Sequence, residues 1–212
     1  MPLNKNPEQL IWDAARKIFF SKGLSGARMQ DIADEAGINK ALLHYYYRSK
    51  EKLFVQIFEK ELSGFVRNLE STFTSNLTFF EKIESLVDQE IRNFSECPEL
   101  PLFLLNELSQ QISSTRPDTH CMQNNCLRKL FRDLVETEIA EGRIKKVDAD
   151  QLFIHVVSLT VYPFMAKPMI QAMLALNEEG YQAFIRERKK EICSFIFDSL
   201  SVTDGKVKLE WT

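Results

Sequence analysis

Cysteine, glycine, proline and long apolar runs are all scarce in this sequence. Four cysteines among 212 residues do not resemble a disulfide framework. Glycine and proline number seven each, and most of them fall between periodic segments. No apolar run approaches the ~20 residues that a bilayer span requires, and the start MPLNKNPEQL lacks the apolar core of a signal peptide. We therefore expect a soluble, cytoplasmic protein with no membrane partner.

Catalytic and cofactor-binding motifs are missing as well. The sequence has no nucleophile elbow, phosphate loop, HExxH pair or Cys-x-x-Cys spacing. The three histidines, His44, His120 and His155, have no glutamate three residues before them, so the Glu-x-x-His pairs of a helical di-iron site are absent. Carboxylates are abundant, but they fall on polar faces. These patterns predict no enzyme, no cofactor and no metal site.

One cluster of thiol and imidazole groups needs separate treatment. His120, Cys121 and Cys126 are close in sequence, but helix positions five apart point about 140° away from each other. That geometry is poor for chelating one metal, so we expect buried, inert thiols. A redox or metal sensor is the alternative if this segment is a loop.

Charge is unevenly distributed along the chain. Residues 1–53 contain nine Lys/Arg and six Asp/Glu, whereas the remainder contains eighteen and twenty-four, for an overall net charge of −3. The basic excess therefore lies in the first quarter, and an acidic remainder would be kept away from phosphates. This asymmetry favours a nucleic-acid contact near the N-terminus.

Residues 9–54 predict three short helices and the start of a fourth. The first helix has an apolar stripe and ends near Gly23, and the second covers about Met29 to Glu35. Gly37 then turns the chain, and Asn39 is placed to cap a third helix that runs to about Tyr47. The apolar stripe consists of Leu10, Ile11, Ala14, Ala15, Ile18 and Phe19.

The third helix divides into two faces. Leu43 and Tyr47 are four residues apart, so they share one face and should be buried. The other face carries Lys40, Ala41, His44 and Tyr45, with Leu42 at its side. A short helix with a cation and two rings suits a DNA groove, and Lys50 beside the backbone N–H groups of a helix start suits a phosphate. The alternative is that the aromatic residues, such as Tyr46, only pack a core.

The segment resembles the DNA-binding motif of the TetR family of transcriptional regulators. The shared pieces, which occur in the family's order and spacing, are Ala14-Ala15 with Phe19, Asp31-Ile32-Ala33 with Ala36-Gly37, His44 to Tyr47, and Ser49-Lys50-Glu51 with Leu53. The resemblance implies that a set of positions faces DNA, namely Asn39, Lys40, Ala41, Leu42, His44, Tyr45 and Lys50.

Two residues depart from the family pattern. His44 replaces a tyrosine that usually touches backbone phosphate; a histidine can still donate there, but the contact weakens as its charge is lost. Arg28 replaces the Ser or Thr that commonly caps the second helix and meets phosphate. Arginine cannot cap in that way, although it can reach phosphate itself.

The rest of the chain reads as further helices without a local motif. We predict helices over about 51–73, 77–94, 102–112, 119–141, 150–165 and 181–200, with Asp148 and Gln151 as an entry signal and Pro163 as a bend. The predicted fold class is all-α with about nine helices. A helix-turn-helix domain would occupy residues 1–53, and a larger helical ligand-binding and dimerisation domain would occupy residues 54–212.

The resemblance implies that the last two long helices form a homodimer and that the C-terminal helices hold a small ligand. The predicted dimer residues are Phe153, Val157, Phe184, Ile192, Phe195 and Ile196. The predicted pocket residues are Phe94, Phe103, Phe131, Tyr162, Met165 and Met169. In both sets the alternative is ordinary core packing.

The function expected from this resemblance is a repressor. It would bind a palindromic double-stranded DNA operator as a homodimer, and an unknown small-molecule effector would release it. Two alternatives stay open: a regulator controlled by redox state or a protein partner instead of a small ligand, and a helical interaction module that has lost DNA binding.

Overall fold

The computed structural model describes residues 6–113 and 126–202, apart from the side chains of residues 110–113. These residues form ten α-helices and no strand, with one isolated antiparallel bridge between Ile144 and Ser201. The predicted all-α fold class is confirmed. The helices are α1 Pro7–Gly26, α2 Met29–Ala36, α3 Lys40–Tyr46, α4 Lys50–Thr74, α5 Phe79–Glu96, α6 Leu100–Ser113, α7 Cys126–Ala140, α8 Ala149–Met165, α9 Lys167–Met173 and α10 Glu178–Leu200.

The chain divides into two compact units. Among the described residues, the N-terminal unit combines 6–65 with 102–113, and the C-terminal unit combines 66–101 with 126–202. Most of α6 therefore belongs to the N-terminal unit, although it follows α5 in sequence. The functional boundary between residues 53 and 54 stays a prediction.

Polar side chains set the starts of several helices. The Asp148 carboxylate accepts the backbone N–H of Gln151 at 2.9 Å, as the entry signal predicts. Thr78 and Glu81 form a reciprocal capping box at the start of α5. Asn177 accepts the Gly180 N–H at 2.8 Å and begins α10 earlier than the apolar pattern predicts.

Aromatic rings form the core of the N-terminal unit. The ring centroids of Phe19 and Phe54 are 5.0 Å apart at 90°. Phe103, from α6, packs against Phe54 at 5.7 Å and against Phe58 at 6.1 Å. Edge-to-face contacts of this kind stabilise a core beyond the area that they bury. Helix α6 thus helps to support the segment that carries α1 to α3.

Helices α5, α8 and α10 pack together in the C-terminal unit. Their buried side chains include Ile83, Val87, Val156, Ile192 and Ile196. Pro163 lies inside α8, which ends two residues later at Met165. Among the described residues, no single helix has the length and apolarity of a membrane span, although α8 and α9 together, bent by 80°, meet that criterion by length and composition.

Candidate nucleic-acid interface

A tight turn at Gly37 sets the angle between α2 and α3. Gly37 has φ 66° and ψ 31°, a left-handed conformation that residues with a Cβ adopt only at a cost. The N–H of Ile38 donates to the Ala33 carbonyl at 3.0 Å, which closes the end of α2. Two residues later the Asn39 side chain accepts the Leu42 N–H at 2.8 Å and starts α3. The turn and the cap therefore fix where α3 begins.

The two faces of α3 differ sharply in exposure. Leu43 and Tyr47 are buried, as their four-residue spacing predicts. Tyr45 is 80% exposed, and its ring meets the Tyr46 ring edge-on at 5.4 Å. Of the other predicted contact residues, Asn39, Lys40, Ala41 and His44 are exposed, whereas Leu42 is half-buried. The apolar face of α3 thus holds the helix in place and leaves its polar face accessible.

Two ion pairs join α1 to α2, the two helices that precede α3. Lys22 Nζ lies 2.7 Å from Asp31 Oδ2, and Lys17 Nζ lies 2.6 Å from Glu35 Oε1. The hydrogen bond from Lys22 is the main cause that lowers the pKa of Asp31, and the backbone N–H of Arg28 adds to it. Both pairs are solvent-accessible, so each stabilises the arrangement only modestly.

Arg28 precedes α2 without capping it. Its side chain makes no cap hydrogen bond, as the departure from the family pattern predicts, and it is exposed. The guanidinium is therefore available to an external anion.

Lys50 has a structural role that the sequence did not indicate. Its ammonium donates to the carbonyl oxygens of Leu24 at 2.8 Å and Ala27 at 3.0 Å, so it ties the start of α4 to the segment between α1 and α2. An ammonium has three N–H donors, so one remains for a phosphate. Lys50 is half-buried, and its contact with DNA stays a prediction.

Two further cations flank α3 and were not among the predicted contacts. Arg48 and Lys52 are exposed, and neither forms an ion pair with another described residue. Arg48 lies two residues after the end of α3, and Lys52 lies in the first turn of α4. Their position on either side of Ser49-Lys50 was the available signal, because cations beside a groove-binding helix commonly contact phosphate.

The six predicted pocket residues are divided between the two units. Phe103 belongs to the N-terminal unit, where it borders a cleft of about 320 Å³ with Gly23 and Glu107. In the C-terminal unit, Phe94 packs against Phe164. Phe131 packs against two other phenylalanines, while Tyr162 and Met169 are exposed and Met165 is half-buried. Ligand binding by this set stays a prediction.

The predicted dimer residues fall into three groups by exposure. Ile192 and Ile196 are buried within the chain itself, so they lie beneath the surface of α10. Phe195 is 67% exposed. Phe153, Val157 and Phe184 are half-buried, and Phe153 packs on Phe131.

The cysteines do not behave alike. Cys193 is fully buried, and burial raises the pKa of its thiol to about 12, which makes it inert at neutral pH. Cys126 begins α7 and is exposed, so the expectation of a buried thiol is wrong at this position. His120 and Cys121 lie outside the described residues.

Comparison with known proteins places the motif in a family. The family model for bacterial regulatory proteins of the tetR family matches residues 11–57, which run from α1 into α4. The fatty acid metabolism regulator protein of Bacillus subtilis is 23% identical over 143 residues, covering 67% of this chain and 73% of that protein. The HTH-type transcriptional repressor NicS of Pseudomonas putida is 38% identical over 55 residues, which are 26% of each protein.

The likeness of fold extends well beyond the matched segment. The structure of the ketosteroid transcriptional regulator KstR2 of Mycobacterium tuberculosis superposes with a TM-score of 0.73 at 17% identity, covering 95% of this chain and 97% of that chain. The similar proteins are transcriptional regulators, not enzymes. Residues 11–57 thus match the DNA-binding segment of tetR-family regulators, and the chain as a whole has the fold of solved transcriptional regulators.

Proposed function

We propose that this protein represses transcription by binding a palindromic operator as a homodimer, and that a small ligand held by the C-terminal unit releases it. The observation that carries the proposal is the exposed face of α3, where Lys40, His44 and Tyr45 are accessible above buried Leu43 and Tyr47. A helix seated in this way can enter a major groove without unfolding its support.

We assign the recognition of bases to the exposed face of α3, and the positioning of α3 on the DNA to the cations around it. Tyr45 and Lys40 are the side chains that we expect to meet base edges. Arg28, Arg48 and Lys52 are expected to meet phosphates, which fix the register of the helix on the duplex but carry no sequence information. The sequence preference should therefore depend on the first group and the salt dependence on the second.

The homodimer is proposed from symmetry and from exposed apolar side chains. Two recognition helices must be about 34–36 Å apart to read adjacent turns of one DNA face, and a two-fold dimer supplies that spacing. Helix α8 exposes Ile154 and Tyr162, eight residues apart, and α10 exposes Phe195. We assign the interface to this surface, because the predicted residues Ile192 and Ile196 already pack inside the chain.

The relatives' names support repression and the proposed class of effector. The Pseudomonas putida protein is named a repressor, and its match lies over the DNA-binding segment. Two similar proteins are named for fatty acid metabolism and for a ketosteroid, which favours a largely apolar effector. An effector lowers DNA affinity only if it binds the DNA-free conformation more tightly than the DNA-bound one.

Selection of bound sequences from a random DNA pool tests the DNA-binding part. We expect recovery of a palindrome whose half-sites are about one helical turn apart. Recovery of a single half-site would contradict the homodimer, and no enrichment would contradict specific DNA binding. Placing the selected site between a promoter and a reporter then tests the regulatory sign: expression should fall when the protein is present, and a rise would contradict repression.

Salt dependence separates this proposal from a helical interaction module without DNA binding. The logarithm of the affinity for DNA should fall with the logarithm of the salt concentration, with a slope near −0.9 for each phosphate neutralised. A module that recognises a protein partner would show a much weaker trend with that partner and no measurable affinity for the selected DNA.

A further inference from the structure

A glutamate is buried in the middle of the C-terminal unit. Glu90 on α5 is 3% exposed, and Thr160 on α8, which contacts it, is 1% exposed. Thr160 Oγ1 and Glu90 Oε2 form a hydrogen bond. The other carboxyl oxygen, Oε1, is buried and has no hydrogen-bond partner among the described residues. A buried acceptor without a partner costs about 1–3 kcal/mol, so its presence in a core calls for an explanation.

The hydrogens available at this pair can all be used when Glu90 is a neutral acid. Thr160 has one hydroxyl hydrogen, and its Oγ1 also lies 3.0 Å from the carbonyl oxygens of both Val156 and Val157. If Glu90 carries a proton, its O–H donates to Thr160 Oγ1 while the Thr160 hydroxyl donates back to α8. Burial acts in the same direction, because it raises the pKa of Glu90 to about 7 against the opposing effect of the Thr160 hydrogen bond.

The surroundings of the pair are apolar. Phe94 and Phe164 lie one helical turn beyond Glu90 and Thr160, on the same faces of α5 and α8, and their ring centroids are 5.6 Å apart. Both rings are buried. Among the charged groups of α5 and α10, Lys189 pairs with Glu84 and Asp88, and Arg188 donates to the Leu159 carbonyl oxygen at 2.9 Å. A hydrogen-bond acceptor thus lies at the edge of an aromatic pair, and no cation among the described residues forms an ion pair with it.

We propose that Glu90 recognises the effector, and that the effector is a largely apolar molecule with one N–H or O–H group that donates to Glu90 Oε1. This inference rests on the proposed control by a small ligand. The apolar body of the effector would lie between the Phe94 and Phe164 rings. Because both rings are buried, they must move apart to admit it. A site built around a buried acceptor rejects analogues that lack the donor, because their binding leaves the acceptor unpaired.

Three probe molecules of similar shape show which kind of donor group, if any, Glu90 recognises. Phenylbutanol offers a neutral O–H, phenylbutylamine offers a cationic N–H, and the methyl ether of phenylbutanol has no donor. Calorimetry on the full-length protein should give the alcohol or the amine about two- to tenfold tighter binding than the ether, the range expected for one net hydrogen bond. Equal binding of all three probes, or binding of none, would overturn the assignment.

Variants of Glu90 identify the acceptor. Glu90→Met keeps the side-chain volume but removes both oxygens, so the preference over the ether should vanish. Glu90→Gln keeps an acceptor but cannot ionise, so the preference for the alcohol should persist, and a preference for the amine that requires the ionised carboxyl should fall. Glu138→Gln is the matched control, because Glu138 is a buried glutamate of the same unit that already pairs with Arg143. A preference retained in Glu90→Met would overturn the proposal.

Operator binding, measured in the same samples, keeps this inference separate from the proposed function. If the probes bind equally in wild type and in Glu90→Met and still release the operator, ligand control stands and the assignment of Glu90 fails. If no probe binds while the selected DNA is bound normally, the assignment of Glu90 again fails and DNA binding stands. Melting temperatures of each variant show that the protein is folded when it is compared.

Discussion

Replacing Glu90 with glutamine should change how stability depends on pH. Burial raises the pKa of Glu90 from 4.5 to about 7 in the folded chain, whereas the unfolded chain keeps the ordinary value. Since a tenfold change in an ionisation constant corresponds to about 1.4 kcal/mol, ionising Glu90 costs the folded chain about 3 kcal/mol. Glutamine has nearly the same size, and its NH₂ group can donate to Thr160, so the variant should keep the packing and lose only this cost.

The direction of the effect follows from where the proton is bound. Below a pH of about 4.5 the carboxyl is protonated in both states, and the two proteins should have similar stability. As the pH rises towards about 7, the unfolded chain ionises first, so wild-type stability should fall relative to Glu90→Gln by about 1.4 kcal/mol for each pH unit. Above this window the difference should stay constant, because the carboxyl is then ionised in both states.

Urea denaturation at a series of pH values measures this difference. Glu84, Asp88 and Lys189 are present in both proteins, so subtraction of the two curves removes their contribution. A gap in favour of the variant that opens between about pH 4.5 and 7 is the expected result. A constant gap, or a variant that becomes relatively less stable as the pH rises, would refute the neutral-acid account of Glu90.

Other changes test the remaining parts of the molecule. Lys50→Met should lower the free energy of unfolding by about 1–3 kcal/mol, because the two contacts with carbonyl oxygens are lost. The same substitution should weaken binding to DNA of any sequence about equally. Unchanged thermal stability would contradict the structural role of Lys50. Arg48→Ala should reduce the magnitude of the salt slope of DNA binding by about one without changing the preferred sequence, as titrations at several salt concentrations will show. Phe195→Ser should shift sedimentation towards the monomer, and an unchanged dimer would remove α10 from the interface.

The DNA-binding segment was the part most accessible from sequence. Gly37, Asn39 and the pair Leu43 and Tyr47 each have a local physical signature: a left-handed turn, a side-chain cap and a four-residue spacing. Such signatures act between neighbours in the chain, so one sequence reveals them. The partners of Lys50 lie more than twenty residues away, and no local rule connects them.

The assignments that failed or stayed open depend on long-range packing. Phe103 and Phe131 are both apolar and helical, yet they belong to different compact units, because α6 packs with the N-terminal helices. Ile192 and Phe195 are three residues apart on α10, yet one is buried and the other exposed. Apolar periodicity shows that a face is covered, but it does not show whether the same chain or another one covers it.

Glu90 could not be singled out before the structure. It is one of 30 acidic residues, and its sequence neighbours place it on an ordinary amphipathic helix. Glu90 differs from the others because α8 packs against it. That helix brings Thr160 to the Oε2 atom of Glu90 but no donor to its Oε1 atom. A buried polar group that lacks a partner is a property of tertiary structure, and it points to function more strongly than sequence position does.

The most direct test of the central claim is the base preference of wild type and of Tyr45→Ala across all single-base variants of the selected operator. If the exposed face of α3 reads DNA, the substitution should change the preference at defined positions, by about 1–3 kcal/mol for each base that is read. Arg48→Ala, the matched control, should lower affinity evenly and leave the preference intact. An unchanged profile for Tyr45→Ala would contradict the account.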